Sequence, residues 1–195
     1  MLPPKFLFNT VLSPESEVVY LAAGNWETAF YQGCEFMDCH YRVRIPTRAD
    51  LVMVSCGGHP KDINFIQAHK TFDYAMNAVK PGGVMILVAA CPEGLGHSDF
   101  CHWLRFDNLE ELEGELRNHF QINGQTAHAT LLKAKSIKVF MVSELPESVV
   151  RTMSIIPARS IDEALSKAYQ ALGSHPSTYV IPYGSVTVPW CDHAP

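Results

Sequence analysis

Two short stretches hold most of the residues in this chain that could do chemistry. Ser55-Cys56-Gly57-Gly58-His59-Pro60-Lys61-Asp62 and Ala90-Cys91-Pro92-Glu93-Gly94-Leu95-Gly96-His97 each follow a continuous apolar run. Glycines let a ligand approach the backbone closely. Lys61, Asp62, Glu93, His59 and His97 supply charge and proton-transfer groups. Just beyond the first stretch, Gln67 and Lys70 stand three residues apart, so a helix puts them on one side. A lysine beside a glutamine amide can hold a carboxylate and a neighbouring hydroxyl. Free N–H groups at the start of that helix would favour an anion as well. Each feature also has an ordinary reading: a Gly-Gly after a strand is most often a turn, a helix-flank lysine a solvated charge, and a loop histidine a surface polar group.

Other chemistries find less support. There is no G-x-G-x-x-G, no G-x-x-x-x-G-K-[ST] and no G-x-S-x-G. Cys34, Cys39 and His40 suggest a metal site, but helical positions five apart diverge by about 140°, so none is expected. Cys56 or Cys91 could act as a nucleophile beside His59 or His97, which leaves a thiol- or histidine-dependent enzyme as one alternative. The more common role of such a cysteine is that of a small buried hydrophobe.

The elements that must position these residues alternate between strand and helix. Lys5 to Leu12 and Glu17 to Ala23 read as a hairpin, Trp26 to His40 as a helix and Tyr41 to Ile45 as a strand. Asp50 to Ser55 is a β-rich apolar run. A helix is expected from Pro60, a residue tolerated in a first turn, to about Val79. Its buried stripe is Phe65, Ala68, Phe72, Ala75, Met76 and Val79, and Lys80-Pro81-Gly82-Gly83 ends it. Val84 to Ala90 is another continuous apolar strand, as parallel sheets require. Strand, loop, helix and strand make a βαβ unit, whose two Gly loops follow consecutive strands and should be neighbours.

Helices are expected at Asp99 to Phe106, Asn108 to Phe120, Gln125 to Lys135 and Ser160 to Leu172, the last with a Ser160/Glu163 capping box. Ile137 to Ser143 reads as a strand, Tyr179 to Val188 as a final strand or hairpin, and Val188 to Pro195 as a frayed tail. The fold class is α/β: an open, mainly parallel sheet with helices on both faces, Rossmann-like βαβ units and a single domain over residues 1–187.

Of 195 residues, 47% are hydrophobic and 18% charged, and that low charged share suggests extensive burial, against another domain or subunit. A net charge of −5 gives no long-range attraction to nucleic acid. Val84 to Cys91, the longest apolar run, is too short to span a bilayer, and the N-terminus lacks a secretory pattern. A cytoplasmic location with six reduced thiols is the default.

The segment from Ala49 to Trp103 resembles the C-terminal domain of the nickel-pincer-dependent lactate racemase family. Its carriers are Ala49-Asp50-Leu51-Val52, Gly57-Gly58-x-Pro60-x-Asp62-x-Asn64, Gln67-x-x-Lys70, Ala78-Val79-Lys80-Pro81-Gly82-Gly83, and Glu93-Gly94-x-Gly96 with Phe100 and Trp103. Weaker similarity includes Asn9-Thr10-Val11-Leu12, Ala23-Gly24, Ala29, Gly33-Cys34 and Ile181-Pro182-Tyr183-Gly184-Ser185. The resemblance implies a two-domain isomerase that racemises a 2-hydroxy acid by hydride transfer to and from a nickel-pincer nucleotide. That cofactor, its lysine and the catalytic histidines belong to the N-terminal domain. Substrate contacts from the C-terminal domain map onto Gln67 and Lys70; the loop residues read above, Gly57, Gly58, His59, Glu93 and Gly94, complete the candidate substrate-binding set.

Two departures stand out. Ile66 replaces a tyrosine common before the glutamine, and Thr126 an aromatic residue. Both suit a bulkier or differently polar hydroxy acid. With no cofactor-bearing half before Met1, the chain is expected to carry neither cofactor nor metal and to be inactive alone, a substrate-clamping domain that needs its missing N-terminal domain. The alternative from another class is a non-catalytic module that binds a small anion or a protein in the same cleft.

Overall fold

A computed structural model describes residues 4–191, apart from 14, 16 and 107. The chain divides into two compact units, Met1–Arg44 and Ile45–Pro195.

In the first unit, β1 (Leu7–Leu12) and β2 (Val18–Gly24) form the expected antiparallel hairpin, with Leu7 opposite Gly24. The next element is α1 (Trp26–Tyr41), capped by the Asn25 side chain, which accepts from the N–H groups of Glu27 and Thr28. Tyr20 stacks on Phe36 with ring centroids 4.4 Å apart. Phe8, Val19 and Leu21 remain exposed. β3 (Arg42–Arg44) ends the unit.

The second unit contains a five-stranded sheet built from β4 (Ala49–Ser55), β5 (Val79–Val88), β6 (Lys138–Val142), β7 (Ile156–Ala158) and β8 (Thr178–Ile181). The strands run parallel in the order β7-β6-β5-β4-β8. Their side chains alternate between two cores, as the period of a strand requires. Val52, Val54, Met85, Leu87, Val139 and Met141 face one core, with α2 (Phe65–Ala75), α3 (Ser98–Trp103), α4 (Leu109–Asn118) and α5 (Gly124–Ser136). Leu51, Val84, Ile86 and Phe140 face the other, covered by Ala164 and Ala168 of α7 (Ile161–Leu172). Between β6 and β7 lies α6 (Glu147–Thr152). Helices therefore cover both faces, as expected. No helix among the described residues is long and apolar enough to cross a membrane.

Several local expectations are corrected. Helix α2 starts at Phe65 rather than Pro60, and Ala75 ends it, followed by one 3₁₀ turn at Met76–Ala78. Lys80-Pro81-Gly82-Gly83 does not separate helix from strand but forms a bulge inside β5: Ala49 pairs with Val79, whereas Leu51 already pairs with Val84. A bulge is where a sheet accommodates proline. Strand β8 is not part of a terminal hairpin, because it lies parallel to β4. Residues 188–191 are not a frayed tail, and residues 192–195 of that expectation lie outside the described residues. Val188–Trp190 forms β9, the Trp190 carbonyl accepts from Ile45 N–H at 2.8 Å, and Cys191 is buried. In the capping box, Ser160 accepts from Glu163 N–H, but the Glu163 carboxylate reaches the N–H of Arg159 rather than that of Ser160.

The N-terminal edge of the sheet is closed by a polar clip. Asp50 on β4 accepts from Lys80 Nζ at 2.7 Å and from the hydroxyl and N–H of Ser177 at 2.6 and 2.9 Å. The Lys80 bond, aided by Ser177, holds its carboxyl well below the usual carboxylate range. A lowered folded-state pKa stabilises the fold above the unfolded value of 3.8 and loses that contribution as pH falls below it. Asp50→Asn should therefore lower the melting temperature at pH 7, with the gap to wild type narrowing as the pH drops below about 4. Thermal denaturation across pH 2–7 checks this, and a gap independent of pH would contradict it.

Candidate functional site

Ser55 at the end of β4 pairs with Val88 at the end of β5, so the loops that follow, residues 56–64 and 89–97, emerge side by side. They are then joined by hydrogen bonds. The Asp62 carboxylate accepts from Ala90 N–H at 3.1 Å, and its carbonyl accepts from Cys91 N–H at 2.8 Å. Glu93 N–H donates to the Ile63 carbonyl at 2.9 Å. Gly96 lies against Asn64 so closely that a Cβ there would sit 2.7 Å from the Asn64 amide.

This joining overturns one expectation. The start of α2 offers no free anion site, because its first-turn donors already have partners. Phe65 N–H donates to Gly94 O at 3.0 Å, Ile66 N–H to Leu95 O at 3.3 Å, Gln67 N–H to Asn64 Oδ1 at 3.0 Å, and Ala68 N–H to Asn64 O at 3.0 Å. Any grip on a carboxylate therefore falls to side chains. Gln67 and Lys70 meet as expected, with Lys70 Nζ donating to Gln67 Oε1 at 3.0 Å. Gln67 is half-buried and Lys70 exposed. An ammonium has three N–H donors, so one can orient the pair while the others meet a ligand. Ile66 turns towards the core beneath the helix.

The other candidates occupy different positions. His59 is exposed in the turn after Gly58, and its peptide bond to Pro60 is cis. Glu93 is exposed, whereas both backbone groups of Gly94 are bonded within the loops, its N–H to Cys91 O and its carbonyl to Phe65 N–H. His97 caps α3, with Nδ1 accepting from Asp99 N–H at 3.2 Å. His69, one residue before Lys70, lies between Phe65 and Phe72. Burial, with the Lys133 charge, lowers its pKa to about 4, so it is neutral near pH 7.

Cys56 and Cys91 do not fit the thiol-enzyme reading. Both are buried. Burial raises Cys56 to about 11, and burial followed by the neighbouring Cys56 raises Cys91 to about 12. A nucleophilic thiol needs the opposite shift and access to solvent.

Sequence reasoning did not select Tyr183 as a site residue. Strand order reverses between β4 and β8, and open α/β sheets take ligands at such a crevice. Across it, the Tyr183 ring lies against Gly57, where an added Cβ would be 3.2 Å from the ring and φ is +91°. Gly184 N–H donates to the Ser55 carbonyl at 2.8 Å, and Gly184 packs on Val54 and Thr71 too tightly for any side chain. The available signal was Ile181-Pro182-Tyr183-Gly184-Ser185 after an apolar strand.

The sequence profile of the lactate racemase C-terminal domain matches residues 45–188. The chain belongs to the lactate racemase C-terminal domain family. It is 30% identical over 185 residues to the lactate racemase of Thermoanaerobacterium thermosaccharolyticum, and 30% identical over 186 residues to that of Lactiplantibacillus plantarum. Each alignment covers 92% of this chain but only 43% of the relative, so the chain spans less than half of their length. The structure of the Thermoanaerobacterium thermosaccharolyticum lactate racemase apoprotein superposes with a TM-score of 0.85 at 29% identity, over 95% of this chain and 46% of that one. A Thermotoga maritima protein, 16% identical with a TM-score of 0.64 over 94% of this chain and 48% of its own, shares the fold. In this chain, the joined loops set Gly94 and Leu95 against the start of α2, the helix that carries Gln67 and Lys70.

Thiol labelling tests the burial of the loop cysteines. At pH 8, Cys34, Cys39 and Cys101, which are exposed, should react with a maleimide, while Cys56 and Cys91 react only after unfolding. Peptide mass spectrometry reads the sites, and rapid native labelling of Cys56 or Cys91 would contradict the structure.

Proposed function

We propose that this chain is the substrate-clamping domain of a racemase or epimerase for a 2-hydroxy acid, and that it acts together with a cofactor-bearing N-terminal domain. Membership of the lactate racemase C-terminal domain family supports the reaction class. The observation that carries the assignment of the site is the Lys70–Gln67 pair, 3.0 Å apart on the helix that leaves the sheet's C-terminal edge. In this reading the Lys70 ammonium holds the carboxylate and Gln67 holds the neighbouring hydroxyl. Gly57, Gly58 and His59 line one loop, and the Glu93 side chain lines the other. Closing this surface against a second domain removes water, and a Lys⁺–carboxylate bond strengthens in a drier cleft.

The described residues contain no group of three or more His, Cys, Asp or Glu side chains able to hold a metal ion. The family resemblance, and not this absence, is the ground for assigning the nickel-pincer nucleotide to the N-terminal domain. The work left to these residues is to bind and orient the acid and to exclude water. Ile66 offers no hydroxyl where it turns into the core, which suits a substrate other than lactate, as does Thr126.

Lys70→Met in the complete protein should lower kcat/KM for racemisation by roughly tenfold to a hundredfold, the range for losing a hydrogen bond to a charged group. Gln67→Leu should cost less. Polarimetric racemisation assays on a series of 2-hydroxy acids measure both. Wild-type activity in Lys70→Met would reject the assigned role.

A further inference from the structure

Tyr183 is an exposed aromatic residue in a tightly held turn. The residue is 62% exposed, although Ile181 before it and Gly184 after it are buried. The turn is fixed from several directions. Gly184 N–H donates to Ser55 O at 2.8 Å, while Val186 N–H and the Thr187 hydroxyl donate to Tyr183 O at 3.1 and 2.8 Å. These are backbone interactions that any residue at position 183 could keep. They place the side chain with its ring edge on Gly57 and the rest of the phenol open. Among the described residues the hydroxyl has no hydrogen-bond partner. The ring is held on Gly57 while the phenol hydroxyl stays open to solvent, so it is available to a ligand.

The neighbourhood connects Tyr183 to the Lys70 site. Thr71 is the residue after Lys70, Gly184 is the residue after Tyr183, and Thr71 and Gly184 are in direct contact. Lys70 on α2 and Tyr183 after β8 are therefore each one residue from the same contact point, at the end of the sheet that β4 and β8 share. This shared contact is the reason for placing Lys70 and Tyr183 on one small acid.

We infer that Tyr183 is a specificity-determining contact: its hydroxyl hydrogen-bonds the C2 oxygen of the 2-hydroxy acid whose carboxylate Lys70 holds. The inference rests on the Gln67–Lys70 reading proposed above. A site built to bond an oxygen discriminates against the analogue lacking it.

The test is calorimetric titration of the whole chain with lactate and propionate, and with the bulkier pair mandelate and phenylacetate, in wild type, Tyr183→Phe and Lys70→Met. Wild type should prefer the hydroxy acid within at least one pair. Tyr183→Phe keeps the ring on Gly57, so the fold should be retained, as circular dichroism would show. It should weaken the hydroxy acid about fivefold and leave the deoxy acid unchanged. Lys70→Met should weaken both members of the pair. Equal loss of both acids in Tyr183→Phe, or no loss of either, overturns the inference while leaving the Lys70 reading standing. Unchanged binding in Lys70→Met overturns the Lys70 reading. Failure of the wild-type chain to bind any of the four acids counts against both.

Discussion

Asp62 is the residue on which the geometry of the site depends. Its carboxylate and its carbonyl take the N–H groups of Ala90 and Cys91, so one residue of the first loop anchors the second where that loop leaves β5. Buried backbone donors must be paired, and here each loop pairs the other's. Gly94 and Leu95 return the connection by accepting from the first two N–H groups of α2. The helix carrying Gln67 and Lys70 is thereby set by a loop about thirty residues away in sequence as well as by its own Asn64 cap. A change in either loop would move the pair, because neither loop has a conformation independent of the other.

The sheet is organised differently at its two ends. At the N-terminal edge, Asp50, Lys80 and Ser177 link β4, the β5 bulge and the approach to β8. At the C-terminal edge, β8 and β4 are joined through Gly184 and Ser55, and the side chains around that bond are small or absent. Only glycine fits at 184, and the positive φ of Gly57 favours glycine there too. The closed edge supports the sheet, while at the other edge the Tyr183 ring packs on Gly57.

The parts of the structure legible in the sequence are those set by local pattern. Asp50 to Ser55 and Val84 to Ala90 read as continuous apolar strands, and both cores draw on them. The spacing of Phe65, Ala68, Phe72 and Ala75 gave the buried stripe of α2, and it placed Gln67 and Lys70 together off that stripe. Long-range partners explain what was not legible. Pro60 resembles a helix start, but Gly94 and Leu95 select Phe65. Lys80 to Gly83 resembles a turn because proline and glycine end most helices, and only the register against β4 reveals a bulge. Val188 to Trp190 resembles a tail until Ile45 supplies the bond that orders it. For the same reason the helix N-terminus was a false anion site: whether its donors are free depends on a loop that sequence spacing cannot dock. Tyr183 was missed because its proximity to Gly57 follows from β8 pairing with β4, a connection that spans the rest of the domain.

The most direct measurement of the central claim is a ¹⁵N-resolved NMR titration of the chain with a 2-hydroxy acid. If the joined loops and α2 form a carboxylate-gripping site, the amides of Gly57, Gly58, His59, Gln67 and Lys70 should shift together along one saturable binding curve, while those around Asp50 and Ser177 at the opposite edge of the sheet stay in place. Shifts confined to other surfaces, or none at these five residues at saturating acid, would contradict the account.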